Sequence, residues 1–151
     1  MTTETFREYL DRLMVFTRSA PERMNARLGL EVLDCSAGDA PSVRFLYCSR
    51  EEFTNPYGGV HGGIVCTLAD TCAGFGLVAL TDQLVTTTDI SVSFLRALTG
   101  KRYEITVDYT HMGQRLCSGN IRIADADTGE LCATAMATYM ILGDRPPGMR
   151  I

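Results

Sequence analysis

Positive charge is scarce in this chain, and what there is comes almost entirely from arginine. Fourteen Lys and Arg stand against 18 Asp and Glu in 151 residues, a formal net charge of -4. Lys101 is the only lysine. Nucleic-acid binding needs clustered basic residues, so that class is excluded, while a few arginines still suffice for a small anionic ligand. None of the six cysteines forms a C-x-x-C pair, which removes the zinc-finger and thioredoxin readings. Met1-Thr2-Thr3-Glu4 has neither the basic nor the apolar region of an export signal, so a cytoplasmic protein with inert, reduced thiols is expected. At this length, one domain with a real core is expected rather than two.

Hydrophobic periodicity supplies the outline. Phe6, Leu10, Leu13 and Phe16 are spaced for an amphipathic helix over 3–18, and Ser19-Ala20-Pro21 breaks it before a short helix at 21–27. Leu30, Val32 and Leu33 lead into the turn cluster Ser36-Ala37-Gly38-Asp39, and Val43, Phe45 and Tyr47 then alternate, which predicts a hairpin. Asn55-Pro56-Tyr57-Gly58-Gly59 is loop chemistry and runs into an apolar stretch over 60–80. Four β segments are predicted after it, at about 85–98, 102–112, 115–126 and 130–142. The expected organisation is a helical segment over 1–27, one domain over 28–143 and a loose tail over 144–151. An antiparallel sheet needs a cover for one face, and a single long apolar helix is available. An α+β domain with a curved antiparallel sheet wrapped around that helix is the economical packing.

Asp70 is the only charged residue between Glu52 and Asp82. On a helical wheel it shares a face with Gly63, Cys66, Thr67, Ala73 and Gly74, small residues that let a ligand or another backbone come close. Glycine and Asp70 interrupt the stretch too often for a membrane span. Either Asp70 is a satisfied structural acid or it is functional, and the lack of a Lys or Arg nearby in sequence favours function. His61-Gly62-Gly63 stands where the loop turns into the helix. The first N–H groups of a helix have no internal partner and suit a carbonyl oxygen that gains negative charge. Gly62 and Asp70 lie eight residues apart, roughly 12 Å along a helix, too far for one carbonyl group to touch both comfortably. A two-fold dimer with antiparallel central helices would bring Asp70 of one chain to Gly62 of the other. A homodimer with shared sites is therefore expected, with pairing of dimers into a homotetramer.

At these residues the chain resembles the hotdog-fold acyl-CoA thioesterases, in particular the phenylacetyl-CoA thioesterase branch. The resemblance covers about 28–142 and is carried by Asn55-x5-His61-Gly62-Gly63, Leu68-Ala69-Asp70-Thr71 and Phe94-Leu95-Arg96. It implies that the Asn55 amide and the Gly62 N–H polarise the thioester carbonyl, with Gly63 alongside. It also implies that Asp70 activates water or attacks directly, and that His61 holds the helix start. A hydroxyl that assists the water in some relatives falls at Thr87, with Thr88 its neighbour. Tyr57 is a candidate for the acyl tunnel, and Arg96 and Arg102, with Lys101 and Arg115, for the CoA phosphates. The implied reaction needs neither cofactor nor metal, because a thiolate leaves without protonation. Two other readings stay open: a non-catalytic acyl-CoA sensor, and a hotdog dehydratase or hydratase, which would need a His and an acid paired on the acyl chain.

Overall fold

The computed structural model describes residues 1–145. Helix α1 (Thr3–Arg18) starts where the Thr2 hydroxyl accepts the Thr5 N–H and ends with Arg18 in its last turn, so both ends match the helix dipole. Phe6, Leu10, Leu13 and Met14 turn inward, while Phe16, expected on the same stripe, is exposed and Met14 takes its place. The second helix is shorter than expected: α2 covers only Met24–Arg27, because Ala20 to Arg23 form turns.

The six strands form one antiparallel sheet. They are β1 (Glu31–Ser36), β2 (Ser42–Cys48), β3 (Leu84–Phe94), β4 (Arg102–Met112), β5 (Leu116–Asp125) and β6 (Leu131–Gly143), in the spatial order β1-β2-β4-β5-β6-β3. Between β2 and β3 runs the central helix α3 (Gly62–Thr81), packed against α1 and strands β2 to β6. Its length and composition would suit a membrane span, yet Val65, Leu68, Ala69, Cys72 and Leu77 lie in the core instead. There they meet the inward residues of the sheet, among them Phe45, Tyr47, Tyr103, Ile105, Ile121 and Ile123.

Two tyrosines reach from the sheet to the helix backbone. Tyr109 of β4 donates its hydroxyl to the Ala73 carbonyl at 2.7 Å, and Tyr139 of β6 donates to the Asp70 carbonyl at 2.9 Å. The first contact requires glycine at 76, because a Cβ there would overlap the Tyr109 hydroxyl and come within 2.9 Å of Val43 Cγ1. Burial pushes the Tyr109 phenol far above its usual range, so it remains a donor. Gly76→Ala should therefore cost about 2 kcal/mol through overpacking, despite alanine's better helix propensity. A thermal melt should show Tm about 4–8 °C lower; an unchanged or raised Tm would disprove the packing argument.

Strand β3 ends earlier than the expected 85–98. After Phe94 the regular ladder ends with the Leu95 and Arg96 N–H groups sharing the Cys132 carbonyl of β6; Leu98 is buried, and its carbonyl accepts the Val60 N–H at 2.9 Å. Residues 95–98 thus brace the loop that precedes α3. Strand β1 begins at Glu31 rather than with the apolar Leu28 and Leu30, since Gly29 at φ 61 turns the chain between them. At the far end of α3, Asp82 takes a left-handed conformation and its carboxylate meets Arg145 at 2.5 Å. Arg145 is buried, sits over the Tyr9 ring and donates to the Val78 carbonyl, so the described start of the C-terminal tail is packed. The rest of the loose tail expected over 144–151 lies outside the described residues.

Candidate active site

The loop before α3 is closed by backbone pairing. Thr54 and Val60 form an isolated bridge, and Asn55 N–H donates to the Gly59 carbonyl at 2.8 Å. Within it, Asn55 Oδ1 accepts the N–H groups of Tyr57 at 2.9 Å and Gly59 at 3.2 Å. Only the carbonyl oxygen of an amide can accept, so these bonds fix which way the side chain faces. Asn55 Nδ2 is left as a donor.

His61 caps α3. Its Nδ1 accepts the Gly63 N–H at 2.9 Å, and its backbone carbonyl takes the N–H groups of Ile64 at 2.8 Å and Val65 at 3.0 Å. The Val65 bond is the first regular helix bond; with His61 N–H donating to the Phe53 carbonyl at 2.8 Å, three of the four donors at the helix start that lack a helical partner, those of His61, Gly63 and Ile64, are satisfied. The Gly62 N–H is the fourth, and no described residue accepts it. The bond to His61 also engages the Gly63 N–H, so Gly63 offers flexibility and small size here, with no spare donor. Phe94 lies over this corner: a Cβ at Gly62 would stand 3.6 Å from its ring.

Two turns along, Asp70 lies on an open strip of α3. Gly63, Cys66, Thr67, Asp70 and Gly74 are half-buried or exposed, while Leu68, Ala69, Cys72 and Ala73 face the core. In the single chain Asp70 is half-buried, on the side of the helix away from the core. Thr87 donates its hydroxyl to Asp70 Oδ1 at 2.6 Å, and Tyr139 donates to the same oxygen at 3.0 Å. Thr87 and Tyr139 are register partners across β3 and β6, and a bulge between Thr87 and Asp89 follows at once. Bulges re-aim side chains. Here the bulge separates the neighbours: Thr87 meets Asp70, whereas Thr88 donates to the Thr138 carbonyl at 3.0 Å.

The remaining candidates lie apart from this cluster. Tyr57 is 92% exposed at the loop tip. Arg96 pairs with Glu130 at 3.7 Å and Arg102 with Asp127 at 2.5 Å, both on the surface. Such exposed pairs are worth little and can be exchanged for a phosphate. Tyr139 escaped the sequence reading, since its alternation marks it only as core. A cavity of about 730 Å³ lies between α1 and β1, lined by residues such as Arg7, Asp11, Asp34 and Cys35, far from Asp70 in the fold. Two hydroxyl donors converge at Asp70, on an open surface rather than in an enclosed space. Among the described residues, no group of three or more His, Cys, Asp and Glu is placed to hold a metal ion.

A model of the thioesterase superfamily matches residues 57–132, a span that contains Gly62, Asp70 and Thr87. The chain belongs to that superfamily. A Saccharolobus solfataricus protein provisionally named an esterase is 29% identical over 94 residues, 62% of this chain. The match spans 66% of that relative's length, just under two thirds. Among solved structures, a thioesterase-superfamily protein is 29% identical, with a TM-score of 0.75 over 89% of this chain and 99% of its own. The Escherichia coli PaaI protein, from the phenylacetic acid degradation operon, superposes with a TM-score of 0.81 at 15% identity, covering 95% of this chain and 98% of its own. A Streptococcus pneumoniae thioesterase protein solved with coenzyme A has a TM-score of 0.69 at 24% identity, covering 77% and 90%. The sheet wrapped around α3 is the hotdog fold. For this superfamily member the residues above become candidates for work on a thioester.

Proposed function

We propose that this thioesterase-superfamily protein hydrolyses acyl-CoA thioesters to a free acid and CoA, as a homodimer with shared active sites. The observation that carries the reading is the helix start, where Gly63, Ile64 and Val65 have their N–H groups satisfied and Gly62 does not. An unpaired N–H at the positive end of a 20-residue helix is a strong point of attraction for a carbonyl oxygen that turns negative. Asn55 Nδ2 supplies the second donor. Asp70 takes the proton of a water as that water's oxygen attacks the carbonyl carbon, or attacks that carbon itself. The C–S bond then breaks and CoA leaves as the thiolate; in the second route water then hydrolyses the acyl–Asp70 anhydride, releasing the free acid and restoring the carboxylate.

The dimer reading has its own support. β3 is an edge strand of 11 residues whose outer backbone is paired by no described strand. Ile90, Phe94, Leu95 and Met136 on or beside it are exposed, a surface of the sort that edge strands bury against a partner. Pairing β3 with its copy about a two-fold axis would run the two α3 helices antiparallel and face the open strips toward each other's helix starts. Pairing of dimers into a homotetramer, cytoplasmic residence and membership of the phenylacetyl-CoA branch belong to the same proposal. Six free cysteines support the reducing compartment, and the coenzyme A of the streptococcal neighbour supports the CoA half of the substrate.

The test is a panel of aryl-acetyl, benzoyl, short and medium acyl-CoA esters, followed by release of free thiol. At least one should be turned over with kcat/KM of about 10⁴ M⁻¹s⁻¹ or more. No thiol release above the uncatalysed rate from any of them would overturn the proposal.

A further inference from the structure

We propose that Tyr139 is a positioning residue for the Asp70 chemistry: with Thr87 it ties down one oxygen of the carboxylate, so that the other, Oδ2, is the one that meets water or thioester. The inference rests on the proposed role of Asp70 and adds a residue that the motif around it does not contain.

The geometry is specific. Tyr139 is 2% exposed, and its single hydroxyl proton lies between two acceptors on one residue. Asp70 Oδ1 is 3.0 Å away and the Asp70 backbone carbonyl 2.9 Å away. A donor shared in this way links the side chain of Asp70 to its own backbone, so turning the carboxylate breaks the bond. Thr87 approaches the same Oδ1 at 2.6 Å from the neighbouring strand. Two donors on Oδ1 and none from a described residue on Oδ2 make the two oxygens chemically unequal.

Structural work alone explains this poorly. The Asp70 carbonyl lies inside α3, where the helix supplies its ordinary acceptor bond, so it does not need a phenol as well. Burial, with the Asp70 charge next in weight, pushes the Tyr139 phenol far above its ordinary value. It is therefore a fixed donor across the working pH range and never a base. Tyr109 provides an internal comparison one turn further along. It makes the same kind of bond to the Ala73 carbonyl at 2.7 Å and touches no carboxylate. If tyrosines merely pin the helix to the sheet, the two should behave alike.

The experiment measures kcat, KM and Tm for thiol release from the best acyl-CoA substrate in Tyr139→Phe, Tyr109→Phe, Asp70→Asn and Asp70→Asn/Tyr139→Phe. Tyr139→Phe is expected to lower kcat about tenfold, with KM changed less than about twofold, as loss of a positioning contact does. Tyr109→Phe is expected to keep parental kcat. The double variant should be no slower than Asp70→Asn, because a positioned group that is already gone cannot be mispositioned. Parental kcat in Tyr139→Phe, an equal loss in Tyr109→Phe, or a further full tenfold loss in the double variant would each overturn the inference. Should Tyr139→Phe fail to fold, 4-fluorophenylalanine at 139 fills the hydroxyl's space without donating and faces the same criteria. 4-Aminophenylalanine there restores a donor and should return kcat to within about threefold of the parent; failure to do so counts against the inference. Asp70→Asn with parental kcat would instead remove the reading of Asp70 itself, so the two failures are told apart.

Discussion

Replacing Asp70 with asparagine should reduce kcat for thiol release by about 10³-fold, while KM stays within about threefold and the melting temperature hardly moves. The asymmetry follows from how Asp70 is held. Both hydroxyl donors, Thr87 and Tyr139, go to Oδ1. An asparagine carbonyl oxygen placed there accepts the same two bonds, so the packing of α3 against β3 and β6 is kept. What disappears is Oδ2, replaced by an NH₂ group that can neither take a proton from water nor attack a carbonyl. A factor of 10³ corresponds to about 4 kcal/mol of barrier, within what a positioned general base supplies. A carboxylate placed for structure alone would leave kcat little changed, since asparagine keeps both of its bonds. Activity within tenfold of the parent on every hydrolysed thioester would rule out both roles considered for Asp70.

The parts of this arrangement that could be read in the sequence are those encoded locally. A charge alone on a long apolar segment is visible without coordinates, and so are the H-G-G turn and an asparagine at the head of a glycine-rich loop. The amphipathic stripe of α1 was likewise legible, apart from the exchange of Phe16 for Met14. The strand ends were not. Nothing in Leu95-Arg96-Ala97-Leu98 announces that it departs from the regular ladder to brace residue 60, because that depends on a backbone bond across 38 residues of chain. Tyr139 was hidden for a related reason. It is 69 residues from Asp70, and on β6 its inward position looks like any other core aromatic until the register with Thr87 is known. The choice between Thr87 and Thr88 turned on a single bulge, which period-two alternation cannot place. His61 lay between: its place before the glycines was plain, but its use of Nδ1 on Gly63 needed atoms.

Mixing two inactive variants should restore activity if the sites are shared. Asn55→Ala removes one of the two carbonyl donors and should cost about 10²-fold or more in kcat, and Asp70→Asn removes the carboxylate. In a shared-site dimer, Asn55 and Gly62 of one protomer work with Asp70 of the other. A mixed dimer then has one site with both lesions and one with neither. Random reassociation of equal amounts makes half of all dimers mixed, so about a quarter of the parental activity should return. Purified mixed dimers, each subunit carrying a different tag, should show about half. If instead each chain held its own complete site, every site in every mixture would carry one lesion, and no activity would return however thoroughly the subunits exchanged. The 12 Å or so of helix between Gly62 and Asp70 argues for the first outcome. So does the β3 edge, paired by no described strand and with Phe94 and Leu95 exposed at its end, since that edge is where a second copy would bring its helix alongside. A mixture no more active than its components, with subunit exchange demonstrated by the tags, would place the whole reaction within one protomer.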